Sequence, residues 1–266
     1  MSSPALLDRM AANFAEHSCH LHRKTAGMTV VETDDLVIAD GDMDDDTFNI
    51  ITGTRFTSST VDSRIAETVA AVSDRFTWWV DSTSTPDNLS DRIAEAGFPA
   101  MDPEPGMVAD LACLPALEIP SGLRIEQVRD AGQFAQYAAI LAANWDPPAP
   151  GVIGFYARAA AVALDPACQA RYFVGYLDDV VVCTTEAFLS HGVAGIYNIS
   201  TLAGFRRRGF GRAITLSALL AARSEGFETA VLQTSPDGQE LYRGLGFTVA
   251  GGFTEHSITG SRRSAP

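Results

Sequence analysis

Apolar and polar positions recur at two different spacings along the second half of the chain. Helical spacing predicts helices at residues 130–143 and 154–164, separated by a proline-rich loop at 144–150. Apolar runs typical of strands follow, and they are joined by short turns such as the two-residue turn Asp178-Asp179. The predicted order is strands 172–177, 180–189 and 194–202, a helix at 211–222, a strand at 229–235 and a short helix that leads into Leu245-Gly246-Phe247.

A glycine-rich run joins the third of these strands to the helix that follows it. Residues 206–211 read Arg-Arg-Arg-Gly-Phe-Gly. Gly209 and Gly211 let the backbone approach a ligand closely, and a helix start aims unpaired N–H groups and its positive dipole end at an anion. The run therefore predicts a site for a diphosphate.

Two familiar phosphate loops do not fit this run. A Rossmann turn requires G-x-G-x-x-G near the start of a βαβ unit, and a P-loop requires G-x-x-x-x-G-K-[ST]. Lys24 is the only lysine in the chain, so the lysine of a P-loop is missing.

A second motif lies after the strand predicted at 229–235. Residues 236–247 read PDGQELYRGLGF and contain L-Y-x-x-x-G-F. Together, the R-x-x-G-x-G run and this motif resemble the acetyl-CoA motifs of the GCN5-related N-acetyltransferase (GNAT) superfamily. The resemblance covers roughly residues 122–260.

The first half repeats parts of this pattern. Phe48-Asn49-Ile50 precedes Tyr197-Asn198-Ile199 by 149 residues, and Gly97-Phe98 precedes Gly246-Phe247 by the same offset. The positions that match the glycine-rich run fall at 57–62 (TSSTVD), without glycine or arginine, and Ile93 stands where Tyr242 would be.

The resemblance and the repeat together imply an α/β (α+β) fold with two tandem GNAT-like domains. Each would have a mixed, mostly antiparallel, splayed central sheet flanked by helices. We expect a degenerate domain without a cofactor loop at 1–115, a linker near 114–122, and a catalytic acetyl-CoA-binding domain at 122–266.

The resemblance also implies which residues bind acetyl-CoA. The backbone of the strand predicted at 194–202 would pair with the pantetheine arm, and the glycine-rich run would hold the diphosphate. The expected residues are Ser200, Thr201, Leu202, Arg207, Arg208, Gly209, Phe210, Gly211 and Arg212.

Catalytic roles follow in the same way. Tyr242 matches the family tyrosine that serves as general acid toward the coenzyme A sulfur. Glu186 is the expected general base, with Asp146 and His256 as alternatives. Trp145, Asp146 and Asn198 are expected to contact the substrate.

Composition limits the classes of partner. A net charge of −14 disfavours nucleic acid, and the first 117 residues carry 20 acidic against 7 basic side chains, so an anionic cofactor fits the second half better. No apolar run approaches the roughly 18 residues of a membrane span, and no signal peptide is indicated. The four scattered cysteines and the histidines predict no metal site. We expect a cytoplasmic protein without a membrane partner.

The resulting hypothesis is an acetyl-CoA-dependent N-acetyltransferase that acts by direct attack of a primary amine of a small molecule. It would be a monomer, with its halves as a pseudo-dimer, or a homodimer. Two alternatives stay open: a non-catalytic acyl-CoA-binding or scaffolding protein, and an acetyltransferase that acts on a protein amine.

Overall fold

The computed structural model describes residues 3–72, 75–235 and 238–259. The chain divides into two compact units: the first unit is Met1–Pro105 with Gly251–Pro266, and the second unit is Gly106–Ala250. The elements are α1 (Pro4–Cys19), β1 (Thr29–Thr33), β2 (Leu36–Asp40), β3 (Ile50–Thr52), α2 (Val61–Ala71), β4 (Arg75–Asp81), α3 (Leu89–Glu95), β5 (Glu104–Asp110), β6 (Leu123–Gln127), α4 (Ala131–Ala142), α5 (Pro150–Ala163), β7 (Ala170–Leu177), β8 (Val180–Ser190), β9 (Val193–Thr201), α6 (Phe210–Ser224), β10 (Thr229–Gln233), α7 (Gln239–Arg243) and β11 (Thr248–Thr259).

The first unit is built on strands in the order β1-β2-β3-β4-β11. Its neighbouring strands are antiparallel except β3 and β4, which run parallel. The apolar face of α2, which includes Val61 and Ile65, packs in a core with Ile51, Phe76 and the fully buried Trp78. This spacing of apolar residues along α2 is what an amphipathic helix on a sheet requires.

The second unit has strands in the order β5-β10-β9-β8-β7-β6. All its pairs are antiparallel except β9 with β10. Helix α6 buries Ile214, Leu216 and Leu219 in a core shared with β8, β9 and β10. Helices α4 and α5 contribute a cluster of aromatic rings that also includes Tyr172 of β7. The mixed, mostly antiparallel sheet with flanking helices confirms the predicted fold class.

Most predicted elements lie within a few residues of their expected positions. The exception is the helix predicted at 154–164, which begins at Pro150. Proline is favourable in the first turn of a helix, where its missing N–H costs nothing. The turn at Asp178-Asp179 has positive φ values of 49° and 64° in its two residues, as a tight hairpin requires.

The two units share local details at the offset of 149 residues. Helices α2 and α6 begin at Val61 and Phe210. Gly97 and Gly246 both have positive φ, at 103° and 96°. The N–H of Phe98 bonds to the carbonyl of Ile93 at 3.3 Å, and the N–H of Phe247 bonds to that of Tyr242 at 3.0 Å. These equivalences support the interpretation of the chain as a repeat.

The unit boundaries differ from the expected domain boundaries at 115 and 122. The last strand is divided, so that Gly251–Pro266 belongs to the first unit. A degenerate first domain and a catalytic second domain stay predictions. Within the described residues, no helix is both long and apolar enough to cross a membrane.

Candidate active site

The strands β9 and β10 diverge in the middle of the second unit. Their parallel pairing consists of Ala194 with Ala230 and Gly195 with Val231. Strand β9 nevertheless continues to Thr201, and β10 continues to Gln233. The edge of β9 beyond Gly195 therefore faces β10 without a paired strand, which is the geometry that accepts an extended ligand as an added strand.

The divergent end of β9 leads to the N-terminus of α6. The residue before the helix, Gly209, has φ of 82°, and no side chain among the described residues caps the first turn. Arg207 also has positive φ, at 62°. These conformations turn the chain tightly, so the first N–H groups of α6 point out of the helix and are free to bind an anion.

A cavity of about 600 Å³ lies at this turn. A Cβ added at Gly211 would lie 3.5 Å from Oγ1 of Thr201 and 3.8 Å from Cδ1 of Leu241, both on the cavity wall. Both distances are ordinary van der Waals contacts, so Gly211 lies directly on the wall of a cavity whose volume fits a group as large as a diphosphate. The wall consists of Ile199, Thr201, Phe205, Arg206, Arg207, Gly209, Phe210, Gly211, Arg212, Gly238, Glu240, Leu241 and Gly244.

The arginines of the turn are held differently from one another. Nε of Arg206 donates to the carbonyl of Thr201 at 3.0 Å. The guanidinium of Arg208 lies 4.8 Å from the ring centre of Phe210 and 5.6 Å from that of Phe205, within cation–π range. Arg207 and Arg212 are exposed on the wall of the cavity. The turn thus presents positive charge around the N-terminus of α6.

The three residues expected to bind pantetheine through their backbone are not equivalent. The N–H of Leu202 already donates to the carbonyl of Val182 at 3.0 Å, because the pairing with β8 continues past the end of β9. Leu202 is therefore not available as a donor, which corrects the expectation for this residue. Ser200 is buried, and its hydroxyl donates to Oδ1 of Asn144 at 3.0 Å. Thr201 remains on the cavity wall.

Glu186 lies in the interior of β8 rather than on an open surface. Its side chain belongs to a residue that is 1% exposed. Its Oε2 accepts a hydrogen bond from the hydroxyl of Tyr137 at 3.1 Å and another from Nδ2 of Asn198 at 2.9 Å. A buried carboxylate with such donors is held in one orientation, and almost none of its surface is left for direct contact with a substrate amine.

Asn198 connects this carboxylate to the irregular part of β9. The pairing of β8 with β9 shifts register between Thr184 and Glu186, which places a β-bulge at Asn198. The φ of Asn198 is 53°, in the left-handed region. Besides Glu186, its Nδ2 donates to the hydroxyl of Tyr156 at 3.0 Å. The sequence predicted that Asn198 contacts the substrate; this stays a prediction, and in the structure its side chain binds Glu186 and Tyr156.

Two tyrosines of the same network were missed by sequence analysis. Burial raises the pKa of Tyr137 and Tyr156 far above the ordinary value, and the carboxylate of Glu186 raises it further. Both hydroxyls therefore stay protonated at neutral pH. Their position on the buried faces of α4 and α5 was a visible signal, since a tyrosine on such a face needs a polar partner for its hydroxyl.

Tyr242 lies on α7, beside the cavity. Its ring packs edge-on against Phe247, with 6.0 Å between the ring centres. Burial raises its pKa to about 12. Gly238, Glu240, Leu241 and Gly244 form the wall of the cavity around it, while Tyr242 itself is not part of that wall.

The remaining candidates lie farther from this network. Trp145 and Asp146 are exposed in the loop between α4 and α5, whose neighbour Asn144 contacts Ser200. His256 belongs to the first unit, where its Nε2 lies 2.9 Å from the hydroxyl of Ser90 and its Nδ1 lies 2.9 Å from the carbonyl of Phe98. Burial lowers the pKa of His256, and both ring nitrogens are engaged, so its role in the structure is packing.

Comparison with known proteins identifies the class of this fold. Residues 137–247 match the model of the Acetyltransferase (GNAT) family. This segment lies within the second unit and spans β8, β9, the glycine-rich turn, α6 and Tyr242. The second unit is therefore an acetyltransferase domain.

Solved structures extend the similarity of fold over the whole chain. A GCN5-related N-acetyltransferase from Kribbella flavida aligns with a TM-score of 0.69 at 19% identity, over 96% of this chain and 98% of that one. A GCN5-related N-acetyltransferase from Sphaerobacter thermophilus aligns with 0.59 at 16%, over 97% and 93%. A tandem GNAT protein from the clavulanic acid biosynthesis pathway aligns with 0.59 at 13%, over 96% and 94%. No curated protein sequence matches the chain.

Residues 137–247 thus form an acetyltransferase domain of the GNAT family in the second unit, and the whole chain shares its fold with GNAT structures. Enzymes of this family generally transfer an acetyl group from acetyl-CoA to an amine.

Proposed function

We propose that the protein transfers the acetyl group of acetyl-CoA to the primary amine of a small molecule by direct attack in its second unit. The observation that carries this proposal is the divergence of β9 and β10 beyond Gly195, which ends at the uncapped N-terminus of α6. An extended arm and a diphosphate at its end are the two parts of coenzyme A that such a site accepts.

The diphosphate would bind the N–H groups of Gly209 to Arg212 at the cavity. Arg207 and Arg212 are exposed there and can approach phosphate oxygens, whereas Arg206 and Arg208 are held by contacts within the turn. The pantetheine arm would lie along the free edge of β9, next to Thr201. Leu202 takes no part through its N–H group.

Transfer requires that the amine nitrogen bond to the acetyl carbon and that the carbon–sulfur bond break. The leaving thiolate then needs a proton or a hydrogen bond, and Tyr242 would supply it. With a pKa of about 12, Tyr242 is protonated under all ordinary conditions. Full proton transfer to a thiolate of pKa about 8.5 would be uphill by roughly 5 kcal/mol, so donation of a hydrogen bond is the favoured role.

An ammonium acceptor must lose one proton before its nitrogen can attack, and the nitrogen loses a second proton once it has bonded to the acetyl carbon; both protons go to a base or to water. Sequence analysis favoured Glu186, but its burial separates it from the exposed surface of the site. Asp146 is an exposed carboxylate in the loop between α4 and α5, and the neighbouring Asn144 of this loop is bonded to Ser200. The proposal therefore requires a base but does not depend on Glu186.

The acceptor is expected to carry a positive charge before it reacts. A net charge of −14 attracts ammonium ions to the protein and repels anionic acceptors. The net charge of the chain therefore favours a cationic amine over a nucleic acid or an acidic protein as the acceptor.

The test is release of coenzyme A from acetyl-CoA with a panel of amines. We expect turnover with cationic small amines, intersecting initial-rate lines and no acetylated enzyme in the mass spectrum. The variant Gly209→Glu should lose acetyl-CoA binding, and Tyr242→Phe should keep binding and lose turnover.

Other outcomes separate the alternatives. Acetyl-CoA binding without turnover on any amine or peptide would favour a non-catalytic binder. Turnover only on peptide amines would favour a protein acceptor. The absence of acetyl-CoA binding would contradict all three.

A further inference from the structure

Asn198 has a left-handed backbone conformation, which most L-residues adopt rarely. It lies where β9, the strand with the open edge, becomes irregular. Its φ of 53° coincides with the register shift between β8 and β9. Asparagine tolerates this region better than most residues, and glycine tolerates it best. Such a bulge re-aims the backbone groups beside it, here those of Asn198 and Ile199.

Two polar groups of Asn198, the side-chain Nδ2 and the backbone carbonyl, are held by different partners. Its Nδ2 donates to Oε2 of Glu186 and to the hydroxyl of Tyr156, at 2.9 and 3.0 Å. Its carbonyl accepts a hydrogen bond from the hydroxyl of Thr184 at 3.2 Å. Glu186 is in turn fixed by the hydroxyl of Tyr137 at 3.1 Å.

The partners of Asn198 come from three elements that pack together: α4, α5 and β8. Glu186, Tyr137 and Tyr156 are exposed by 1%, 0% and 5%. Burial of hydrogen-bonded polar groups makes them rigid, because breaking the network would leave a carboxylate and an amide unsatisfied away from water. The network can therefore hold a strained backbone at Asn198.

We propose that Glu186, Tyr156 and Tyr137 form a positioning clamp that locks the left-handed bulge at Asn198, and that this bulge fixes the stretch of β9 beside which the thioester carbonyl would lie. Glu186 is then a positioning residue and not the general base. The inference rests on the proposed function of the second unit, because the carbonyl it serves belongs to acetyl-CoA. Displacement of this stretch would misplace the reacting groups, and acyl transfer is slowed when the reacting atoms leave their near-attack geometry.

The equivalent residue of the first unit provides a contrast. Asn49 lies 149 residues earlier and is fully buried, but it is not among the residues with positive φ. Its side chain binds backbone groups only: it accepts from the N–H of Gly41 at 2.9 Å and donates to the carbonyls of Met43 and Arg75. The same residue type thus holds a loop in one unit and a strained strand in the other.

The test compares glycine and alanine at both positions. Asn198→Gly keeps access to the left-handed region and should lower kcat about threefold, whereas Asn198→Ala should lower it at least thirtyfold with acetyl-CoA affinity little changed. At Asn49 glycine should be no better than alanine in thermal stability, because no left-handed conformation is needed there. Equal loss of kcat in the two Asn198 variants would overturn the proposal.

Variants of Glu186 separate positioning from proton transfer. Glu186→Gln still presents an oxygen to Asn198 and Tyr137, so kcat should stay within about threefold and the pH profile should keep its shape. Glu186→Leu removes that oxygen and should lower kcat at least thirtyfold. A loss of 10²-fold or more in Glu186→Gln, with loss of the acidic limb of the profile, would identify the carboxylate as a base. If Glu186→Gln fails to fold, the Asn198 pair decides.

Hydrogen exchange separates this inference from the proposed function. Peptides that cover β9 should exchange faster in Asn198→Ala than in Asn198→Gly, whether or not an acceptor amine is found. If no amine is acetylated but this difference is observed, the proposed function fails and the clamp stands. If turnover is observed and the exchange rates are equal, the clamp fails alone.

Discussion

The two units contain the same pair of parallel strands, but only the second leaves the pair open. In the first unit, Ile50 and Ile51 of β3 pair with Thr77 and Trp78 of β4. The residues 149 positions later, Ile199 and Ser200, have no such pairing with β10. Beyond β3, the N–H of Phe56 bonds to the carbonyl of Thr85 at 3.1 Å, so the closed pairing continues.

The residues at the starts of the helices that follow these strands, α2 and α6, also differ between the units. The residues before α2 bind one another: the hydroxyls of Thr57 and Thr60 lie 2.8 Å apart, and the N–H of Val61 bonds to the carbonyl of Thr57, although the side chain of Thr60 makes no capping bond to the helix. In α6 the equivalent of Thr60 is Gly209, which has no side chain. The first unit therefore keeps its pair of parallel strands closed, whereas the second unit leaves an open edge next to a helix start preceded by glycine.

The largest expected difference between the units concerns alkaline stability. All six tyrosines lie in the second unit, and burial raises the pKa of four of them, Tyr137, Tyr156, Tyr172 and Tyr197, well above 10. Above pH 10 the unfolded chain releases tyrosine protons that the folded unit retains, so stability falls as the pH rises. At pH 11 this amounts to about 5 kcal/mol for the second unit.

The measurement is urea unfolding at pH 8 and pH 11 in a Trp145→Phe background. Tyrosinate absorbance then reports the second unit, and fluorescence of Trp78 and Trp79 reports the first. Cys19 and Cys183, each with a pKa raised to about 12 by burial, affect the two units alike. Ionisation of the tyrosines near pH 10 without unfolding would contradict the prediction.

The next largest effect is expected at the two helix starts. Gly209→Glu places a side chain on a residue with φ of 82° and a negative charge at the diphosphate position. Affinity for acetyl-CoA should fall more than 100-fold by isothermal titration calorimetry. Thr60→Glu is the matched control in the first unit and should change the affinity less than twofold. A similar loss in both variants would remove the distinction between the units.

How much could be predicted from the sequence differs between the turn and the buried network. Gly209 and Gly211 are recognisable locally, because two glycines at the start of a helix leave its first N–H groups open to an anion. Glu186 and Tyr137 are far apart in sequence, and only the packing of α4 on β8 brings them together. A polar residue in an apolar strand looks the same whether it faces a cleft or the interior, so the sequence alone could not distinguish a base from a buried partner.

The hydrogen bonding of individual backbone groups in β9 could not be predicted from the sequence either, because it depends on strand register. The bonding of Leu202 to Val182 depends on how far the ladder of β8 and β9 continues, and the bulge at Asn198 shifts that register. Strand boundaries inferred from apolar patterns do not resolve a single inserted residue.

A smaller effect, on the chemical step, is expected from Tyr242→Phe. The position equivalent to Tyr242 in the first unit is Ile93, which is fully buried. The phenolic hydroxyl is therefore a polar group that only the second unit has at this position. We expect kcat to fall about 100-fold with acetyl-CoA affinity unchanged. Because the pKa of Tyr242 is about 12, the parent should show no loss of activity from this residue below pH 11. Unchanged kcat in the variant would show that solvent protonates the leaving thiolate.

The smallest effect we expect comes from the glycine that positions Tyr242. A Cβ at Gly238 would lie 2.3 Å from Oγ1 of Thr234 and 3.1 Å from Cε2 of Tyr242. Its φ of −80° is ordinary, so Gly238→Ala tests crowding alone. We expect kcat to fall about tenfold, because the ring of Tyr242 must move.

A second substitution tests that cause. Thr234→Ala in the Gly238→Ala background removes the closest atom and should restore kcat to within about threefold of the parent. Gly154→Ala, where a Cβ meets nothing within 4 Å, is the control for glycine replacement in general and should leave kcat unchanged. If Thr234→Ala gives no recovery of kcat, crowding at α7 does not set the position of Tyr242. The buried Leu89, which stands in the first unit where the second unit has Gly238, would then say nothing about why glycine is present there.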